Sequence, residues 1–161
     1  MQGANDAPVL DQLIINNDDV TEDGTLIASG SILASDADAG DVVMFDLISG
    51  FDGTYGLFEV DSNGDWTYLL DNNDIHVQEL GANVALTEDF TVVLSDGNGG
   101  TERVDISVNV QGTNDAPVID DLVIFNGTVV EDSTLTASGR LDVTEIDLGD
   151  VLQFSICLLY T

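Results

Sequence analysis

Arg103-Val104-Asp105-Ile106-Ser107-Val108-Asn109-Val110 alternates residue by residue, and after Gln111 comes Gly112-Thr113-Asn114-Asp115-Ala116-Pro117-Val118. Val104, Ile106, Val108 and Val110 fall on one side and Asp105, Ser107 and Asn109 on the other, which is the period of a strand with one buried face. In the stretch that follows, Asn-Asp favours side-chain to backbone bonds, Pro117 fixes its own φ and keeps Ala116 extended, and Val118 opens another β-prone run. Strand, linker and the start of a new strand are thus written in one short piece of chain.

Working outward, nearly the same linker stands about 109 residues earlier as Gly3-Ala4-Asn5-Asp6-Ala7-Pro8-Val9. The register persists: Glu22-Asp23, Ala28-Ser29-Gly30, Asp38, Gly40-Asp41-Val42 and Phe45 return as Glu131-Asp132, Ala137-Ser138-Gly139, Asp147, Gly149-Asp150-Val151 and Phe154. The sequence therefore divides into a complete repeat over 1–111, a linker over 112–118, and the opening of a second repeat over 119–161. Met1-Gln2-Gly3 is in register with Val110-Gln111-Gly112, so the start is expected to lie inside a longer array. Cys157-Leu158-Leu159-Tyr160-Thr161 leaves the repeat pattern, and the end is expected to be that of a fragment.

Within the first repeat, Leu10 to Ile15, Thr25 to Ala34, Val42 to Ile48, Leu57 to Val60, Trp66 to Leu70, Leu86 to Leu94 and Arg103 to Val110 read as strands. A bulge or break is expected at Ser29-Gly30. Gly50 to Gly56 reads as a turn, Asp71 to Asn83 as polar and irregular, and Asp61-Ser62-Asn63-Gly64-Asp65 as a hairpin turn rather than a metal loop. No apolar spacing sustains a helix over three turns. The fold class is all-β, a β-sandwich of about seven short strands, with Trp66 and Tyr68 turned into the core.

The charge balance limits the possible partners. Thirty-one acidic side chains face two basic ones, Arg103 and Arg140, for a net charge of −29. Phosphate recognition needs a basic surface, so nucleic acid is excluded, and an anionic membrane surface repels the chain; the natural counter-ion is a cation. Aspartate outnumbers glutamate, and short carboxylates in turns suit the oxygen cages of Ca²⁺. With a single cysteine, Cys157, neither an intrachain disulfide nor a cysteine-based zinc site can form. No signal peptide or membrane-spanning run is evident. His76 has no nucleophile motif around it, and no lysine is present to act as a base, so no catalysis is expected.

Asp36, Asp38 and Asp41, spaced by two and three positions in a Gly-containing loop, can turn several carboxylates inward as metal ligands. The alternative is a solvated acidic loop. Asn114-Asp115 reads either as ligands or as a plain Asx turn before proline.

The linker Gly-Thr-Asn-Asp-Ala-Pro-Val, Ser-Asp-Ala-Asp-x-Gly-Asp, Tyr-Gly-x-Phe, Gly-Asp-Trp-Thr-Tyr and Asp-Gly-x-Gly together resemble the VCBS repeats of bacterial surface adhesins and repeats-in-toxin proteins. The same landmarks are similar to those of cadherin domains, which are Greek-key sandwiches with calcium between consecutive units. The cadherin resemblance implies that Asn114 and Asp115 are linker ligands, Glu22 the early glutamate, Glu88 the late glutamate, and Asp96 a ligand facing the preceding unit. Glu145 and Asp147 then stand for the Asp-x-Asp loop across the boundary. Together these readings lead to a calcium-binding extender repeat, extracellular, on a bacterial cell surface or secreted by a type I route within a larger parent protein. Its partners would be neighbouring repeats, with a cell-surface glycan or protein as a further candidate, without membrane insertion. The alternative is a carbohydrate- or ligand-binding adhesive domain.

Overall fold

The computed structural model describes residues 3–49, 53–122, 128–133 and 135–156. The sequence readings at Gly50 to Asp52 and at Cys157 to Thr161 lie outside them. The first repeat is a sandwich of two four-stranded sheets. One sheet has the order β1-β3-β6-β5, built from β1 (Val9–Asn17), β3 (Ile27–Ser35), β6 (Asp65–Leu70) and β5 (Gly56–Val60). The other has the order β2-β8-β7-β4, built from β2 (Asp19–Thr21), β8 (Thr101–Gln111), β7 (Ala85–Ser95) and β4 (Met44–Ser49).

Alternation decides which residues meet between the sheets. Phe90, Val92 and Leu94 of β7 and Val104, Ile106, Val108 and Val110 of β8 are all buried, and across from them lie Ala28, Ile32, Phe58, Trp66 and Tyr68. Phe58 stacks on Phe90 with ring centroids 4.4 Å apart and on Trp66 at 5.5 Å. Asp61 turns the β5–β6 hairpin by accepting the backbone N–H groups of Asn63 at 2.8 Å and Asp65 at 3.0 Å, and Gly64 takes the left-handed φ of 85°. These bonds hold the Asp61 carboxyl below the ordinary carboxylate range.

Strand β3 runs unbroken through Ser29-Gly30, contrary to the expected interruption. The irregularity lies opposite, in β1, where the register shifts between Ile15 and Asn17. Gly30 is there for space: a Cβ would stand 2.6 Å from the Trp66 ring and 2.2 Å from the Ile14 carbonyl oxygen.

Two elements position the site. The chain leaves β1, crosses to the other sheet and forms β2, which pairs with β8 in parallel, Asp19 to Asn109 through Thr21 to Gln111. Parallel strands exit at the same end, so the residue after β2, Glu22, arrives beside the linker that follows β8. A short helix, α1 (Ile75–Gln78), interrupts the segment read as irregular; Asp74 caps it by accepting the His76 backbone N–H at 2.8 Å.

Beyond the linker, β9 (Val118–Leu122) pairs antiparallel with β10 (Leu141–Thr144), and Val118 opposes Thr144 as Val9 opposes Ser35. Among the described residues this second repeat has no counterpart of β4 to β8. Val129 and Leu141 are accordingly 60% and 41% exposed, where the matching Val20 and Ile32 are fully buried.

Candidate metal centre

Acidic groups collect at both poles of the first repeat. At the linker pole, Glu22 is fully buried and Asp147 is 4% exposed. The Thr113 backbone N–H donates to Glu22 Oε2 at 3.1 Å, the Asp115 N–H to Asp147 Oδ2 at 2.8 Å, and the Asp147 N–H to Glu145 Oε1 at 3.2 Å. Asn114 donates its side-chain amide to the Asp115 carbonyl at 2.7 Å. Three segments distant in sequence are thereby drawn together: the end of β2, the linker, and the loop after β10.

The opposite pole repeats the pattern. Asp6 N–H donates to Asp38 Oδ2 at 2.7 Å, and Asp38 N–H to Asp36 Oδ1 at 2.8 Å. One carboxylate oxygen from each of Asp36, Asp38 and Asp41 lies within 4.8 Å of the other two. Asp96, at the β7–β8 turn of this pole, accepts the Asn5 side-chain amide at 2.8 Å and the N–H groups of Asn98 and Gly100, which hold its carboxyl below the ordinary range. Asn98 in turn donates to Asp41 at 2.9 Å.

Glu88 is brought to neither cluster. Its buried carboxylate accepts the Tyr68 hydroxyl and the backbone N–H groups of Thr54 and Tyr55. Burial, and then the bond to Glu88, push the Tyr68 phenol up. Glu88 thus anchors the β4–β5 connection to the core. In its place the linker pole contains Asp23, at a left-handed φ of 52°, whose N–H donates to Asn72 Oδ1 at 2.9 Å and whose carboxylate accepts Asn72 Nδ2 at 2.6 Å. Neither Asp23 nor Asn72 is among the ligands expected from the sequence. The repetition of Glu22-Asp23 as Glu131-Asp132 was the available signal for Asp23.

Residues 5–112 match the family of bacterial cadherin-like domains, well over half of the chain. The chain belongs to that family. Its members are structural, adhesion-type extracellular domains. Among solved structures, this cadherin-like chain is similar to mouse cadherin-23 EC22-24 at 20% identity and a TM-score of 0.48, over 90% of this chain and 46% of that one. It is also similar to the protocadherin gammaB7 EC3-6 cis-dimer at 19% identity and a TM-score of 0.45, over 91% and 35%. The chain thus spans less than half of the length of either structure. No curated protein is similar enough to match it. Among the described residues no helix is long and apolar enough to cross a membrane.

The electrostatics of the cadherin-like junction set a pH dependence. Burial raises the Glu22 carboxyl, and the charges of Asp115, Asp23 and Asp147 push it further up against the lowering bond from Thr113. Burial, then Asp147, Asp23 and Glu145, raise Asp115. In the metal-free chain both folded-state values lie above the unfolded ones, so the folded chain binds more protons between them. Stability then falls as pH rises from the ordinary carboxylate range through the raised values. Asp61, Asp74 and Asp96 are held low and act oppositely, losing stability as pH falls below that range. Thermal melts in chelator should therefore peak within the ordinary carboxylate range, near pH ~4, and decline as pH rises above it. A curve that instead climbs steadily to pH 7 would contradict the raised pair.

Proposed function

We propose that the chain is a calcium-binding extender unit of a bacterial surface or secreted adhesin, in which Ca²⁺ rigidifies the junction between consecutive repeats. One observation carries this reading: Glu22 Oε1, Asp115 Oδ2 and Asp147 Oδ1 are buried carboxylate oxygens without a hydrogen-bond partner, one from each of the three segments that meet at the junction. A buried anionic oxygen without a partner is costly, and three of them from separate segments are balanced by a cation. The donor set is oxygen only, which fits a hard ion; Ca²⁺ accepts six to eight such ligands in flexible geometry, whereas Mg²⁺ demands a tight octahedron and keeps its water. Among the described residues only Asp36, Asp38 and Asp41 already bring one carboxylate oxygen each within 4.8 Å of one another, so Glu22, Asp115 and Asp147 would draw closer together to hold the ion, with Asp23 and Glu145 adding negative charge nearby. Bound there, it would supply charge neutralisation and a bond between repeats.

The acidic cluster of Asp36, Asp38 and Asp41, together with Asp6, has the hydrogen-bonding pattern of the second repeat's half of that junction. Its unpartnered Asp36 Oδ2 supports the same role toward a preceding unit. On this reading the boundaries fall as a complete repeat over 1–111, a calcium-binding linker over 112–118 and the start of another repeat from 119, and the work of the protein is mechanical. A carbohydrate-binding role is less well supported, because Trp66, Tyr68 and Phe58 are buried and offer no face for a sugar to stack on.

Calcium added to the chelated chain should raise its melting temperature more than magnesium does. At free calcium of about 100 times Kd, each independent site adds about 2.7 kcal/mol. Small-angle scattering on the same samples should show extension with calcium beyond what sodium chloride produces, since monovalent salt only screens over about 8 Å at physiological strength. A melting curve indifferent to chelator, or full extension by sodium chloride alone, would remove the proposal.

A further inference from the structure

The two repeats also touch where no carboxylate oxygen takes part. The Leu148 backbone N–H donates to the Glu79 carbonyl at 3.0 Å, which joins the second repeat to the segment after α1 of the first. That segment is a firm support. Val77 and Leu80 are buried in the core, the Leu80 N–H donates to the Val77 carbonyl at 3.0 Å, the Val84 N–H to the Gly81 carbonyl at 3.0 Å, and the Gly112 N–H to the Val84 carbonyl at 2.9 Å. Linker and support lie against each other at Gly112, where a Cβ would stand 2.1 Å from the Leu80 carbonyl oxygen; at the matching Gly3 nothing is within 4 Å.

The group that docks is the turn Asp147-Leu148-Gly149-Asp150, closed by the Asp150 N–H on the Asp147 carbonyl at 3.3 Å, with Gly149 at φ 101°. A Cβ at Gly81 would sit 3.6 Å from Asp147 Cβ, an ordinary carbon to carbon contact. The first repeat carries the same turn at Asp38-Ala39-Gly40-Asp41, with Gly40 at φ 105° and the Asp41 N–H on the Asp38 carbonyl at 3.2 Å. There Asp38 is only half-buried, while Asp147, against its support, is almost wholly covered.

We propose that Glu79 to Gly81 form a docking shelf for the Asp147 to Asp150 turn of the following repeat, and that this contact orients the two repeats without metal. The bond is between neutral backbone groups, and the buried Gly81 is covered by the carbons of Asp147, so neither feature depends on a cation. The metal then binds carboxylates whose direction of approach is already set. The turn at Asp38 to Asp41 is the matching surface for the shelf of another copy of this repeat, a head-to-tail contact that propagates along an array. The proposal goes beyond the calcium reading and is tested entirely in chelator, so the two fail separately.

Amide exchange followed by NMR on the full chain in chelator reads the contact directly, because the Leu148 N–H has its hydrogen-bond partner in the other repeat. Protection of at least about tenfold is expected for Leu148 in the wild type and in Gly81→Ala, whose methyl fits the space. Gly81→Leu pushes against Asp147 and should return Leu148 to its intrinsic rate while Val92 and Val104 stay protected. Should Gly81→Leu unfold the first repeat, Leu148→Pro removes the donor without touching the shelf. In that variant the nuclear Overhauser contacts between Gly81 and Asp147 should vanish in chelator. The shelf is overturned if wild-type Leu148 exchanges at its intrinsic rate without calcium, if Gly81→Leu leaves its protection intact in a folded chain, or if Leu148→Pro leaves those contacts in place.

Discussion

Trp66→Ala should lower the unfolding free energy by about 3–5 kcal/mol, the range for removing a buried large aromatic from a packed core. The indole is 1% exposed and lies 5.5 Å from Phe58 at 16° between planes, and Phe58 carries the stack across the sandwich to Phe90. Nothing nearby can move in to fill the space cheaply, because the backbone opposite is held by the β1–β3 and β3–β6 ladders at Gly30. Trp66→Phe should cost clearly less. It leaves a smaller void, and it removes the indole N–H, which has no hydrogen-bond partner and therefore carries its desolvation cost uncompensated in the wild type. Urea titrations of the three chains, with unchanged m-values, would establish the order. A loss below about 1 kcal/mol for Trp66→Ala would place the ring at the surface, and free quenching of its fluorescence would then follow.

Much of the sandwich was legible because its inner strands are half-buried and long. Eleven-residue β7 and β8 repeat the in-and-out pattern often enough to fix their faces, and Asn63-Gly64 marks a turn whose backbone only a glycine accommodates readily. Strand β2 was not legible, since three residues, Asp19-Val20-Thr21, are too few to show a period and their partner lies some ninety residues away. Helix α1, at four residues, fails on the same ground. The site divides along similar lines. Linker and loop residues were found through the repeat, but their convergence depends on the parallel exit of β2 and β8, which no local pattern records. Glu88 is instructive, because the alternation that turns Phe90, Val92 and Leu94 inward turns Glu88 inward too. A carboxylate on a core face needs a buried donor, and Tyr68, inward on β6, supplies one. That reasoning was open from the sequence and would have separated Glu88 from the junction.

Glu22→Gln should raise stability in chelator and gain less from calcium than the wild type does. Without metal, Glu22 is a fully buried charge: Oε2 accepts the Thr113 N–H and Oε1 accepts nothing, while Asp115, Asp23 and Asp147 oppose its ionisation. Glutamine has the same shape, keeps an acceptor for Thr113 and discards the charge that Asp115, Asp23 and Asp147 oppose. The expected gain is about 1–3 kcal/mol, the scale on which a buried group without a partner is penalised. It should also flatten the fall in stability as pH rises above the ordinary carboxylate range, because one of the two raised carboxyls is gone. With calcium the same substitution removes a hard anionic ligand. If affinity drops tenfold, free calcium at about 100 times the wild-type Kd contributes about 1.4 kcal/mol in place of about 2.7. Glu22→Gln should therefore melt above the wild type in chelator, and calcium should raise its melting temperature less. Destabilisation of equal size in both conditions would mean that Glu22 is only a cap for the Thr113 N–H, and stabilisation of equal size in both would mean that no cation binds at Glu22. Only a junction in which the buried carboxylates are a cost without the ion and its ligands with it produces a gain in chelator that calcium erodes.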